Sequence, residues 1–223
     1  MATIKRTKAK KEALNDDAII SLYMTDVLEA NEEPKNAFVF CKKHNIEESD
    51  FYSFFGSLDA VKQSIWVKFF ENAVATIEKE EAFNSYSDKN KLLTLNFTLF
   101  EILTLNRSYV LFTLKENKEG LKNLKNLKEF RNRFKDYIVN EIKSKPSEPF
   151  GKVAKVTEPV FSEGAWLQFL FILKFWMDDT SKGFEKTDVL IEKSVNTAVD
   201  LLDTKPLESL FDLGKFLWKE KMQ

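Results

Sequence analysis

The sequence has few of the residues from which catalytic and metal sites are built. Its one cysteine, Cys41, excludes an internal disulfide, and its one histidine, His44, cannot form a histidine-based metal site alone. We interpret Cys41 as a small core residue and His44 as a surface residue near a helix end. No nucleophile elbow, phosphate-binding loop or dinucleotide fingerprint is present. We therefore expect no enzymatic activity, no metal and no cofactor.

Long apolar runs, glycine and proline are also scarce. The most hydrophobic stretch, residues 165–177, is too short to span a bilayer and contains Gln168 and Lys174. An apolar signal segment is missing from the N-terminus, so we expect a cytoplasmic protein without membrane insertion. Six glycines and five prolines among 223 residues, between long periodic segments, predict an all-α fold.

An excess of charge of one sign is absent as well, since the formal net charge is −1. This excludes the overall basic character of general nucleic-acid binders. Basic residues concentrate instead in residues 1–12. Such a tail is typical of arms that contact a DNA backbone, and equally of a solubilising terminus.

The segment 34–61 is the most informative part of the chain. Phe38 and Cys41 are expected to share the buried face of one short helix, and Asn45 suits a left-handed turn. Phe51 and Phe55 then share the face of a second helix. This pattern predicts a helix-turn-helix, preceded by a first helix over 16–31 with a buried stripe. The stripe is expected to contain Ile19, Ile20, Leu22, Tyr23, Val27 and Leu28.

Residues 45–61, NIEESDFYSFFGSLDAV, resemble the DNA-binding signature of the TetR family. The residues in register with that signature are Tyr52, Phe55, Gly56, Ser57 and Val61. The resemblance implies a three-helix DNA-reading domain over 1–61 and an antiparallel helical bundle over 62–223. It also implies double-stranded operator DNA as a partner and a homodimer built through the late helices. The residues expected at the DNA are Lys35, Glu48, Ser49, Tyr52 and Ser53.

The chain departs from the family signature at positions that matter for DNA. Leu58 replaces a lysine that lies near a phosphate, and Glu47, Glu48 and Asp50 place three acids where the DNA backbone would approach. A carboxylate can still accept a hydrogen bond from cytosine N4. Two hypotheses therefore stay open: a DNA-binding regulator, and a protein of this fold that binds a lipid or isoprenoid, or docks a partner, without binding DNA.

The rest of the chain predicts a helical bundle. A loop rich in proline is expected over 144–159, either as a gate over a pocket or as a simple connection. The predicted helices cover 60–82, 92–114 with a break near Asn106, 115–145, 161–177, 187–202 and 206–219.

Aromatic residues of this bundle are candidates for an apolar pocket, which would suit a small hydrophobic ligand. The alternative is that they fill the core without a cavity. The predicted ligand-binding residues are Phe97, Phe100, Tyr109, Phe112, Phe134, Trp166, Phe169 and Phe175.

Overall fold

The computed structural model describes residues 14–115, 125–142 and 151–202, with the side chains of 151–160 and 199–202 excepted. Within these ranges the chain is all-α, as predicted, and contains no strand. The helices are α1 Asp16–Ala30, α2 Ala37–His44, α3 Glu48–Phe54, α4 Leu58–Ile77, α5 Asp88–Leu105, α6 Arg107–Lys115, α7 Lys128–Tyr137, α8 Gly151–Asp178 and α9 Glu185–Leu202. Three 3₁₀ turns, Glu81–Ser85, 125–127 and Lys182–Phe184, and a π-helical segment, Ile138–Ile142, complete the described elements.

The chain divides into two compact units, Met1–Ile65 and Trp66–Gln223. The division falls inside α4, which buries an apolar residue in each turn. These positions are Val61, Ile65, Phe69, Ala73 and Ile77. The helix ends at Ile77 rather than at residue 82, and a separate 3₁₀ turn follows.

The first unit contains α1, α2 and α3. Asn15 caps α1 by accepting a hydrogen bond from the Ala18 amide at 2.7 Å. Ile19, Ile20, Tyr23 and Val27 are buried as predicted, whereas Leu28 is 45% exposed and Leu22 is half-buried. The charged Asp26 is also buried in this helix.

In the second unit α9 packs against both α5 and α8, and α8 packs against α7. The break between α5 and α6 occurs at Asn106, as predicted. The predicted helix over 115–145 is present as α7 and the π-helical segment, whereas residues 116–124 lie outside the described part. Its described apolar positions Leu127, Phe130, Phe134, Ile138 and Ile142 are buried.

The predicted loop over 144–159 is wrong for its second half, because α8 already begins at Gly151. Pro159 lies inside this helix. An interior proline removes one backbone hydrogen bond at a cost of about 3 kcal/mol, and a helix of 28 residues tolerates that cost. The predicted last helix, 206–219, lies outside the described residues.

Candidate functional site

The helix-turn-helix of the first unit is held by local capping. Asn36 caps α2 by accepting a hydrogen bond from the Val39 amide at 2.9 Å. Asn45 ends α2 in the left-handed conformation, with φ 54° and ψ 43°, as the sequence predicted. The amide of Ile46 donates to the Cys41 carbonyl at 2.9 Å, and that of Asn45 reaches back to the carbonyl of Lys42. This Schellman arrangement satisfies the last carbonyls of α2 and sets the direction in which α3 leaves the turn.

The aromatic contacts beneath the turn correct one prediction. Phe40, rather than Phe38, is buried, and its ring lies 6.2 Å from Tyr23 and 6.0 Å from Phe51. Phe38 is 55% exposed. The phase of α2 explains the difference, because Phe40, Cys41 and the partly buried His44 share its inner face. Phe51 and Phe55 are buried on one side of α3, as predicted.

A buried carboxylate connects α1 to the end of α2. Asp26 accepts hydrogen bonds from Lys43 Nζ at 2.6 Å and from His44 Nε2 at 2.8 Å. His44 is therefore a partner of a buried acid and not the surface residue that the sequence indicated. Burial alone would raise the pKa of Asp26, but the hydrogen bonds from Lys43 and His44 lower it below its usual value.

The lowered pKa gives a testable pH dependence. A carboxylate with a depressed pKa stabilises the fold above its unfolded-state pKa, and that contribution is lost as the pH falls through the folded-state pKa. We expect Asp26→Asn to lose about 1–2 kcal/mol of unfolding free energy near pH 6. The difference from wild type should shrink as the pH falls from about 4 through the lowered pKa of Asp26, where the carboxylate of the folded protein becomes protonated. Urea unfolding followed by circular dichroism checks this, and a difference that stays constant down to about pH 3 would contradict it.

The predicted DNA contacts lie largely at the surface of the helix-turn-helix. Lys35, Ser49, Tyr52 and Ser53 are exposed, with Tyr52 at 52%, whereas Glu48 is half-buried in the first turn of α3. The Ser53 hydroxyl donates to the carbonyl of Asp50 at 2.6 Å. The outer face of α3 therefore offers an aromatic ring and two hydroxyl-bearing residues to a partner.

A cleft of about 460 Å³ opens beside the turn. Phe38, Cys41 and Ile46 supply apolar lining, while Glu47 and Glu48 line it with carboxylates. The lining is completed by Lys42, Asn45 and Ser49. A second exposed ring, Phe54 at 43%, stands where the family signature has histidine. The helix-turn-helix surface therefore combines acids with exposed aromatic rings.

In the second unit the predicted ligand-binding residues separate into two groups. Phe100, Tyr109, Phe134, Trp166 and Phe169 are buried. Phe97 and Phe175 are exposed and Phe112 is half-buried, so these three do not join the buried group.

Three of the buried rings contact one residue that the prediction omitted. Phe130 lies 5.2 Å from Phe169, 5.4 Å from Trp166 and 6.0 Å from Phe134. Phe100 joins the group through Phe169 at 5.7 Å. We call Phe100, Phe130, Phe134, Trp166 and Phe169 the aromatic cluster. Its rings contact one another directly, so these residues fill space together as a core does.

Arg107, the first residue of α6, forms a clamp that sequence reasoning missed. Its guanidinium donates to the carbonyls of Trp176 at 2.9 Å, Met177 at 3.2 Å and Asp179 at 3.3 Å. It also lies between two rings, 4.3 Å from Trp176 and 4.5 Å from Phe184. Burial lowers the pKa of Arg107, against the attraction of Asp179 and Asp178. The guanidinium thus satisfies the last carbonyls of α8 in place of a local cap.

Asp179 organises the turn that follows. Its carboxylate accepts hydrogen bonds from the amide and hydroxyl of Ser181 and from the amide and hydroxyl of Thr187. Burial would raise the pKa of Asp179, but these hydrogen bonds lower it to about 2. The corner between α8 and α9 is thereby fixed on both sides, by Arg107 and by Asp179.

The outer face of α8 carries exposed apolar side chains at helical spacing. Leu167 is 63% exposed, Phe171 59% and Phe175 38%, and Val189 of α9 is 49% exposed. Phe171 and Phe175 also line a surface cleft of about 500 Å³ that includes Lys174, Asp178 and Lys186 among its lining residues. Spacing of i, i+4 and i+8 places the three α8 residues on one side of the helix. We call Leu167, Phe171 and Phe175 the α8 apolar face.

No helix in the described ranges has both the length and the apolar character needed to cross a membrane. A search of curated proteins finds no match. A family model described as the tetracyclin repressor-like C-terminal domain matches residues 91–217, which is more than half of the chain. The matched residues carry the effector domain in such proteins. They lie outside the helix-turn-helix, on which the resemblance rests. The two findings are independent and agree: the chain belongs to the TetR family of regulators.

Proposed function

We propose that this protein is a DNA-binding transcriptional regulator that responds to a small hydrophobic effector. The observation that carries the proposal is the helix-turn-helix, whose turn is capped by Asn45 and whose α3 exposes Ser49, Tyr52 and Ser53. A recognition helix needs such an outward face to reach base edges in the major groove. Lys35 and the basic residues of the tail supply charge for the phosphates.

The effector, in this proposal, binds in the second unit near the aromatic cluster. Buried Phe100, Trp166 and Phe169 provide apolar surface for it. The boundary between the units falls within α4, so a change at either end of this helix reaches both units through a continuous backbone. Effector binding would change the separation of the two recognition helices in a dimer, so that they no longer fit successive major grooves.

The decisive experiment is a mobility shift with DNA from upstream of the protein's own gene, measured against scrambled DNA at several salt concentrations. Specific binding that weakens steeply with salt supports the regulator. Absence of binding at low salt, from a folded dimer, favours the second candidate, a protein of this fold that docks a partner or holds a lipid. The exposed Phe38 and Phe54, with Glu47, Glu48 and Asp50 beside them, favour that candidate. Lipid extraction from the purified protein would then be the next measurement.

The acidic start of α3 gives a charge-reversal prediction. Glu48→Lys should tighten DNA binding by roughly thirtyfold, because a repulsion of about 1 kcal/mol between two unit charges about 4 Å apart in water is replaced by an attraction of about 1 kcal/mol. The matched control is Glu101→Lys, which makes the same charge change at an exposed position of α5. Mobility shifts of both variants should show tighter binding for Glu48→Lys alone. Equal effects would indicate that only net charge matters and that α3 does not lie against DNA.

The α8 apolar face is the surface that we assign to the homodimer. An exposed face of this kind marks an association site more often than a solvated surface, and a two-fold axis would bring two copies of it together. Phe171→Glu should convert the dimer to a monomer in sedimentation or light-scattering measurements at micromolar concentration. Phe97→Glu, at an exposed phenylalanine of α5, is the control and should leave the dimer intact. A dimeric Phe171→Glu protein would place the interface elsewhere.

A further inference from the structure

A buried polar atom in α5 points to the chemistry of the effector. Asn96 is 1% exposed, and within the described residues its Oδ1 atom has no hydrogen-bond partner. Burying an amide oxygen without a partner costs about 1–3 kcal/mol in proteins. Asparagine is also a poor helix former in a helix interior. The residue thus contributes little to the stability of the helix in which it lies.

The hydrogen bond made by Nδ2 determines the orientation of the Asn96 side-chain amide. Nδ2 donates to the carbonyl of Leu92 at 2.8 Å, one turn earlier in α5. Rotating the amide would bring two oxygens together, so Oδ1 must be the atom that points away from the helix backbone. The unsatisfied group is therefore an acceptor.

The neighbours of this acceptor on α5 are apolar, and one of them belongs to the aromatic cluster. Leu92, Leu95 and Leu99 are buried around it on α5, and Phe100 lies one turn further along the same side of the helix. Two other amide oxygens without a partner among the described residues, those of Gln168 and Asn196, belong to half-buried side chains. Asn96 is the least solvent-exposed of these three residues.

We infer that Asn96 Oδ1 accepts a hydrogen bond from the effector, which is a small apolar molecule carrying a hydroxyl or N–H donor. The inference rests on the proposed function, since it specifies the ligand class of the same unit. An acceptor selects a donor, so hydrocarbons and molecules with only ether or ester oxygens leave Oδ1 unsatisfied. An anionic ligand is excluded as well, because Oδ1 would repel its charge and the leucines on α5 cannot compensate that charge.

The test uses three probes with one ring system: 2-naphthol, which donates, 2-methoxynaphthalene, which only accepts, and naphthalene, which does neither. Dissociation constants come from quenching of tryptophan fluorescence. Wild type should bind 2-naphthol roughly tenfold more tightly than the other two, which corresponds to about 1.4 kcal/mol. In Asn96→Leu, which has the same number of side-chain heavy atoms, this preference should disappear. Asn132→Leu, at an exposed position of α7, is the control and should keep it.

A second readout needs no probe. Removing an unsatisfied acceptor should raise the midpoint of thermal unfolding of the free protein in Asn96→Leu, and the smaller Asn96→Val guards against overpacking. A lowered midpoint in both variants overturns the inference, because Asn96 would then be a satisfied structural group. Failure of wild type to prefer 2-naphthol also overturns it. Loss of operator binding in the mobility shift, with the naphthol preference intact, would instead refute the regulator and leave the donor site standing.

Discussion

Phe169→Ala is expected to destabilise the second unit by about 4 kcal/mol. Phe169 is fully buried, and its ring contacts Phe100, Phe130, Phe134 and Trp166. Removing it leaves a cavity that the surrounding rings cannot close, since each is held by contacts of its own. Chemical denaturation followed by tryptophan fluorescence measures the loss.

Leu105 provides the control. It is an apolar residue at the end of α5 and is 76% exposed, so Leu105→Ala should cost less than about 1 kcal/mol. Similar losses for the two variants would show that the aromatic cluster is not the core of the unit. A small loss for Phe169→Ala would indicate an existing cavity beside the ring.

Arg107→Ala is expected to cost about 3 kcal/mol of unfolding free energy. The guanidinium makes three hydrogen bonds to carbonyls at the end of α8 and is stacked against Trp176 and Phe184. Its removal leaves those carbonyls without their donor and opens a gap between two rings. Arg107→Lys should recover little, because a lysine cannot present a planar fork to three acceptors.

Arg133 is the matched control for this prediction. It pairs with Glu71 and Glu129, and all three side chains are 42–50% exposed. Ion pairs of this kind contribute about 0–1 kcal/mol, so Arg133→Ala should be nearly neutral. Thermal unfolding of the two alanine variants provides the comparison. Equal shifts would mean that the Arg107 contacts count for no more than surface ion pairs.

What could be predicted from the sequence was local. The position of the turn follows from the conformation that Asn45 tolerates, and the faces of α3 and α4 follow from apolar spacing. Phe38 and Cys41 have helical spacing, which favours Phe38 as a core residue. Phe40 and His44 have helical spacing as well, so spacing alone does not decide between Phe38 and Phe40. Choosing between them requires knowing which side of α2 meets Tyr23.

The features that sequence reasoning missed depend on contacts between distant residues. Arg107 reaches carbonyls about 70 positions later in the chain, and no spacing rule connects the two. The start of α8 does not follow from the sequence, because three prolines and Gly151 within 144–159 favour a loop. Phe130 is not among the predicted site residues, since only the packing of α7 against α8 places it among the other rings.

The placement of the tryptophans has a practical consequence for spectroscopy. The sequence has four, at positions 66, 166, 176 and 218, and all lie in the second unit. Trp66, Trp166 and Trp176 are buried. Intrinsic tryptophan fluorescence therefore follows the second unit alone, while far-ultraviolet circular dichroism follows the helices of both units. Comparing the two unfolding curves measures directly how far the two units, which share α4, unfold as one cooperative body.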